Sequence, residues 1–284
     1  MRNIVSTVII SVALACFIQA QKPAYLIYDS LGQIVEYDSM IRSLSTADIV
    51  MFGEMHDDPV THWLQYEVTS DLDESRDLIL GAEMIEADNQ DELNMYLLDS
   101  ISAEAFDSTA RLWSNYKTDY APLVNYAKDN ALPFIATNIP RRFAQAVFKY
   151  GFAYLDSLSA VEKEWVAPLP IPFDPDLPKY QEILEMMGDH GTPELVKAQA
   201  TKDATMAHFI LKNFIEGNLF IHYNGSFHSD DYEGILWYLK QQSPELKYAS
   251  ITSVRQDDIH KLEAEHIGKA DFIICVDSDF TRSY

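Results

Sequence analysis

Two histidines and two glutamates stand in this chain where an α/β sheet would place reactive groups. Gly53, Glu54 and His56 close the run "ADIVMFGEMH", and Gly225 and His228 close "NLFIHYNGSFH". Each is a Gly-x-x-His at the end of an apolar run of strand length. Glu83 lies late in a third run, "LILGAEMI", and Asp230 and Asp231 follow His228. A glycine ahead of each histidine lets the backbone turn sharply or approach a ligand closely. Two carboxylates and two imidazoles brought together can hold a divalent ion or divide base and acid roles in hydrolysis. Glu54, His56, Glu83 and His228 are therefore candidate metal ligands and candidate catalytic groups, with Asp231 placed to orient a histidine. Spacing alone leaves two readings open: the histidines meet at one site, or each caps its own loop. Convergence in space decides between them.

Other polar residues invite plainer readings. His62, on the helix after His56, is expected to be partly exposed or packed against Tyr66. His222 lies within a strand run and reads as a satisfied core histidine, while His190, His260 and His266 stand in polar surroundings. In "QATKDATMAHF", Gln199, Asp203 and Met206 share one helix face at spacings of four and three, which is ordinary amphipathic patterning. An aspartate buried on that face would need a partner. Arg141, in the "RR" that opens another helical stretch, can serve a ligand carboxylate or simply begin the helix exposed. The chain lacks Gly-x-x-x-x-Gly-Lys, Gly-x-Gly-x-x-Gly, His-Glu-x-x-His and Gly-x-Ser-x-Gly, so nucleotide, dinucleotide, zincin and serine-hydrolase readings lose most of their weight.

The elements that must position these groups can be read from periodicity. Most of the runs at 48–53, 78–85, 132–139, 218–224, 248–254 and 271–277 are continuously apolar rather than alternating, the pattern of strands covered on both faces. Helix-length segments separate them. This alternation specifies an α/β fold: a mainly parallel central sheet with helices on both faces. Ligands of such sheets gather at the carboxyl ends of the strands, which is where the Gly-x-x-His motifs fall. "AYLIYDSLGQIVEYDS" predicts an opening hairpin. Residues 141–217 show no strand signal and read as a helical insertion or lid.

A chain of 284 residues with 48% hydrophobic content can bury a sizeable core. Its formal net charge of -23, from 21 basic and 44 acidic residues, repels phosphate backbones and argues against nucleic acid as a partner. "MRN", then the apolar "IVSTVIISVALACFI", then "QAQKP" reads as an export signal over residues 1–20, cleaved after Ala20. The mature chain, 21–284, is then one domain, secreted or periplasmic. The alternative is an outer-membrane lipoprotein carrying its lipid on Cys16, in "ALAC". With the signal removed Cys275 is the only thiol, and its place in "ADFIICVD" makes it a small core residue.

Six blocks in order, "IYDSLGQIV", "ADIVMFGEMHDDPVTHWLQ", "ILGAEMIEADNQ", "YAPLVNYAKDNALPFIATNIPRRFA", "KAQATKDATMAHFI" and "FIHYNGSFHSDDYEGILWYL", resemble the ChaN-like haem-binding, iron-uptake lipoproteins of bacteria. That family is grouped with the metal-dependent Tiki proteases and, more distantly, with erythromycin esterases. The resemblance implies an α/β fold in which the two Gly-x-x-His blocks and the glutamate of "GAEM" line one cleft. It also implies a haem carrier in which a homodimer encloses haem, a tyrosine ligates iron, and a histidine and a lysine address the propionates. Tyr120, in "DYAPL", falls in one of the shared blocks. Two functions follow as expectations: haem or metal binding in iron or haem uptake, with outer-membrane association, or a metal-dependent hydrolase using the polar cleft. In the first, haem is expected to dock outside that cleft, at a subunit interface.

Overall fold

The computed structural model describes residues 22–283; the export segment and Cys16 lie outside the described residues. The first half of the chain runs β1 (Tyr25–Asp29), α1 (Tyr37–Leu44), β2 (Ile49–Glu54), α2 (Pro59–Asp73), β3 (Leu78–Glu86), α3 (Gln90–Leu97), α4 (Ala103–Thr109), α5 (Ala121–Asp129) and β4 (Phe134–Asn138). Helices α6 (Arg141–Tyr150), α7 (Ala153–Asp156), α8 (Pro178–Met187) and α9 (Pro193–Asn213) follow. The chain closes with β5 (Leu219–Gly225), α10 (Ile235–Gln242), β6 (Tyr248–Gln256) and β7 (Phe272–Asp277).

The strands form one sheet in the order β1-β7-β6-β2-β5-β3-β4. All neighbours are parallel except β1, which runs antiparallel to β7. The six apolar runs of the sequence become the six parallel strands. Every residue of β2, β3 and β5 is buried, because alternate side chains enter opposite helical layers. Val50 and Phe52 join the layer of α1 to α5, with Met40, Leu64, Val68, Leu93 and Leu123. Ile49 and Met51 face the layer of α6, α9 and α10, with Val147, Met206, Ile210 and Leu236.

Two expectations are corrected. The opening hairpin is reduced to one bridge, Tyr28 to Ile34, because β1 takes its ladder from β7 instead. Residues 141–217 are helical, but α6 and α9 are not an insertion on a finished sheet; they supply one of the two layers that bury it. Helix α8 packs on α9, with Tyr180 buried against Val196 and Ala200, while Ile171 of the proline-rich stretch before it joins the α6, α9 and α10 layer. Among the described residues no helix is long and apolar enough to cross a membrane.

Candidate functional site

Register brings the two Gly-x-x-His motifs together. β5 lies between β2 and β3, with Glu54 opposite Gly225 on one side and Ala82 opposite Tyr223 on the other. The carboxyl ends of three neighbouring strands thus deliver Glu54, Glu83 and Gly225 to one place. The loop after β2 is then pinned just past His56. Asp58 caps α2 by accepting from the N–H groups of Val60 and Thr61 at 2.9 and 3.0 Å, and receives Arg255 Nη1 at 3.1 Å. Pro59 begins the helix, where its missing N–H costs nothing. Gly225 permits the close approach that its position demands: a Cβ there would stand 2.8 Å from His56 Cε1 and Nε2.

The site consists of two carboxylate–imidazole assemblies. In the first, buried Glu54 Oε1 accepts from His56 Nδ1 at 2.8 Å and from the Tyr120 hydroxyl at 2.7 Å, while its Oε2 accepts from Gln65 Nε2 at 2.6 Å. Nδ1 of His56 is thereby committed, and the ring is held edge-on to Trp113, with centroids 4.7 Å apart. Its Nε2 has no hydrogen bond among the described residues, and the side chain is 34% exposed to the cleft. In the second assembly buried His228 bridges two acids. Nε2 donates to Glu83 Oε1 at 3.2 Å, and Nδ1 makes a short bond to Asp203 Oδ1. Glu83 Oε2 accepts the N–H of Gly225 at 2.8 Å, and Asp203 Oδ2 accepts the Tyr180 hydroxyl at 3.0 Å.

Electrostatics divides these groups in two. Burial disfavours the His228 imidazolium, but the charges of Glu83 and Asp203 outweigh it and push its pKa up to about 9. Burial alone would raise Glu83, yet His228 holds its carboxyl well below the usual carboxylate range. Burial raises Asp203 against the pull of His228. His228 is thus a fixed cation between two acids. Burial also opposes charge on His56, but the Glu54 hydrogen bond and the charges of Glu83 and Glu54 raise its pKa overall. His56 is the imidazole whose second nitrogen remains available to a ligand.

The four residues expected to hold an ion are brought together, but not as a preformed cage. Both oxygens of Glu54, both of Glu83 and both nitrogens of His228 are spent on protein partners, so an ion would have to displace hydrogen bonds already made. Among the described residues only Glu263, Glu265 and His266, on the surface elsewhere, have ligand atoms all within 4.8 Å of one another.

The remaining candidates fall as follows. Gln199 and Asp203 point from α9 at His228, the Gln199 amide lying 3.0 Å from Nδ1. Asp231 does not orient a histidine: it pairs with Lys179 at 2.6 Å, and Asp203 occupies the place expected of it. Tyr120 is buried with its hydroxyl given to Glu54, and burial and that carboxylate push its pKa far up, so it offers no phenolate to the cleft. Arg141 lines the adjoining chamber. Sequence reasoning missed His62, Gln65 and Asn115. His62 is buried, its Nε2 3.2 Å from the carbonyl of His56 and 3.6 Å from Asp119, and Asn115 donates to the same carbonyl at 3.0 Å. The signal for Gln65 was its place on α2 between Leu64 and Val68, a polar residue at a core position. His222 is the satisfied core histidine expected, bonded to Thr137 and Asn224, with burial lowering its pKa to about 4.

An apolar wall borders the polar groups directly rather than lying at a distance from them. A cleft of about 540 Å³ is lined by His56, Glu83 and His228 together with apolar side chains, Ile183, Met186 and Met187 of α8 and Leu195, Met55 and Phe227. Met186 and Met187 are exposed. No tyrosine lines this cleft or the chamber beside it among the described residues.

Comparison with known proteins agrees with this architecture. The family described as "Haem-binding uptake, Tiki superfamily, ChaN" matches residues 40–239. A solved structure of ChaN of Campylobacter jejuni, described as binding haem cofacially, superposes with a TM-score of 0.68 at 17% identity, covering 89% of this chain and 97% of that one. A Bacillus cereus protein superposes at 0.50 and 12% identity, covering 84% of this chain and 90% of its own. Identities this low speak for the fold alone. No curated protein matches in sequence.

Proposed function

The chain belongs to the ChaN family of haem-binding uptake proteins in the Tiki superfamily, and from that premise we propose that it binds haem in the cleft between His56 and helix α8. The observation that carries the proposal is the pairing of an open imidazole nitrogen with an apolar wall. Haem is a large apolar disc with two carboxylates, and an imidazole is one of its usual axial ligands. Ile183, Met186, Met187, Leu195 and Phe227 offer the apolar face, and His56 offers Nε2, its Nδ1 anchored on Glu54 in the way that fixes ligand histidines. Lys202 supplies a cation to the same cleft. Bound haem would supply an iron centre for carriage or redox chemistry. The part of the chain is to shield the disc from water and to hold the His56 ring in its tautomer. A role in haem or iron uptake, export by residues 1–20, a homodimer and outer-membrane association are further parts of this proposal.

The test is an absorbance titration of the purified chain with haemin. Saturable development of a protein-bound Soret band, greatly weakened in His56→Ala, is expected. A linear rise identical to that in buffer would end the proposal.

One observation favours a second reading, hydrolysis at the same cleft. A histidine with one nitrogen on a buried carboxylate and the other open is the geometry of a general base, and His56 with Glu54 has it. Glu83, His228 and Asp203 would then hold a fixed charge beside the reacting group. A metal-assisted version would require the acids to give up their present partners. Ester or peptide hydrolysis that disappears in His56→Ala supports this reading, and activity unaffected by the substitution removes it.

A further inference from the structure

The short loop at 55–58 carries the imidazole on which both proposed activities depend, and most of its ties come from buried core elements. The Met55 N–H donates to Ser253 Oγ of β6 at 3.0 Å, and the Asp58 N–H closes a turn onto the Met55 carbonyl at 3.0 Å. Buried Asp58 receives Arg255, another β6 side chain, itself only 7% exposed. Removing either partner of such a pair would leave a charge buried alone, so this end of the loop is fixed.

Asp57 is tied differently. It lines the cleft beside His56, and among the described residues its carboxylate and its carbonyl are held by the C-terminal tail alone. Arg282 Nη1 donates to Asp57 Oδ2 at 2.7 Å, and the Ser283 N–H donates to the Asp57 carbonyl at 2.9 Å. The path to that contact is set by the same Arg255, whose Nη2 donates to the carbonyls of Ser278, at 3.0 Å, and Phe280. The tail thus leaves β7, passes β6 and reaches the loop after β2, two strands away in the sheet. Its last tie faces solvent, with Arg282 57% exposed. An exposed ion pair is weak by itself, so it can open while the buried Arg255–Asp58 pair stays closed.

We propose that residues 278–283 form a strap over the His56 loop, in which Arg282 and Ser283 are positioning residues for the His56 imidazole. His56 and Asp57 share one peptide unit, so fastening Asp57 on one side, with the His56 carbonyl held by His62 and Asn115 on the other, fixes the backbone that aims the ring. The ring then keeps Nδ1 on Glu54 and turns Nε2 to the cleft. With the strap open, Asp57 loses every partner it has among the described residues, and the hydrogen bond that selects the His56 tautomer is no longer held in register. The inference rests on the proposed function only in taking His56 as the working imidazole. It is tested without haem, so its failure is separable from a failure of haem binding.

The experiment compares the full chain with Arg282→Ala, Arg282→Lys and a chain ending at Ser278, each treated with chelator and checked by thermal melt. Amide hydrogen exchange reads the loop. Long-range proton–nitrogen NMR of the neutral imidazole reads which nitrogen of His56 carries the proton, which is Nδ1 in the wild type if it donates to Glu54. Exchange of the Asp58 amide is expected to quicken about tenfold in Arg282→Ala, the worth of about one hydrogen bond, with the Nε2–H form of His56 appearing beside the Nδ1–H form. The shortened chain should behave alike, Arg282→Lys should restore both signals, and exchange in β3 and β5 should stay as in wild type. A tail that merely stabilises the fold would lower the melting temperature and quicken exchange throughout with the His56 tautomer unchanged, and that result overturns the proposal. Loop exchange unaffected by Arg282→Ala and by the truncation overturns it as well. Should the shortened chain fail to fold, Arg282→Ala, at an exposed position, decides alone.

Discussion

His228 is the residue whose chemistry is most fully set by its neighbours. Its pKa, raised from an ordinary 6.5 to about 9 by Glu83 and Asp203 against the cost of burial, is also a statement about stability. A histidine that binds its proton more tightly when folded contributes stability that is fully present below pH 6.5. That contribution is lost as pH climbs through about 9. Glu83 acts in the opposite sense. Its depressed pKa contributes stability present above its ordinary 4.5 and lost as pH falls toward the depressed value. Unfolding of the chelator-treated protein is therefore expected to grow easier between pH 6.5 and 9, by on the order of a few kcal/mol, and His228→Asn should flatten that slope. Taking the difference between the two proteins cancels other titrations, such as that of Asp230, which burial pushes up to about 6. A slope unchanged by the substitution would mean that His228 is neutral in the folded state. The sequence made His228 visible through its glycine, but not its partners. Asp203 lies 25 residues away along the chain, on a helix whose face looked merely amphipathic, whereas the nearby Asp231 proved to belong to Lys179.

At the scale of elements, what could be read was the set of parallel strands, because both faces of each are covered and the apolar runs are unbroken. Less legible was what has no period. β1 pairs with β7 at the far end of the chain, so no local pattern announced that its hairpin partner would shrink to one bridge. The role of α6 and α9 as a whole layer was hidden for a similar reason: an amphipathic helix shows that it has a buried face without naming the surface it covers. Helix α8 is where this scale meets function. Its Met186 is exposed at the cleft and makes little contribution to the core. Met186→Glu should therefore change folding stability by about 0.5 kcal/mol or less, while weakening haemin binding several-fold through loss of apolar wall and addition of a charge. Parallel denaturation and haemin titrations check this. Lowered stability with unchanged haemin affinity would place α8 in the scaffold rather than at the ligand.

Over the whole molecule, strand order accounts for why Glu54, Glu83, His56 and His228 share one cleft. β5, formed late in the chain, inserts between β2 and β3, bringing together motifs that the sequence keeps far apart. That insertion was not deducible from spacing; it was the reason convergence stood as an open question. The apolar wall was equally hidden, since Ile183, Met186 and Leu195 come from a region that reads only as helical. In the proposed complex haem would be held in this cleft by His56, its Nδ1 anchored on Glu54. Resonance Raman spectroscopy of the ferrous haem complex reads the iron–ligand bond itself. An iron–histidine stretching mode is expected in the wild-type complex and should be absent in His56→Ala. A tyrosinate signature in the ferric protein, or an iron–histidine mode that persists in His56→Ala, would contradict the claim.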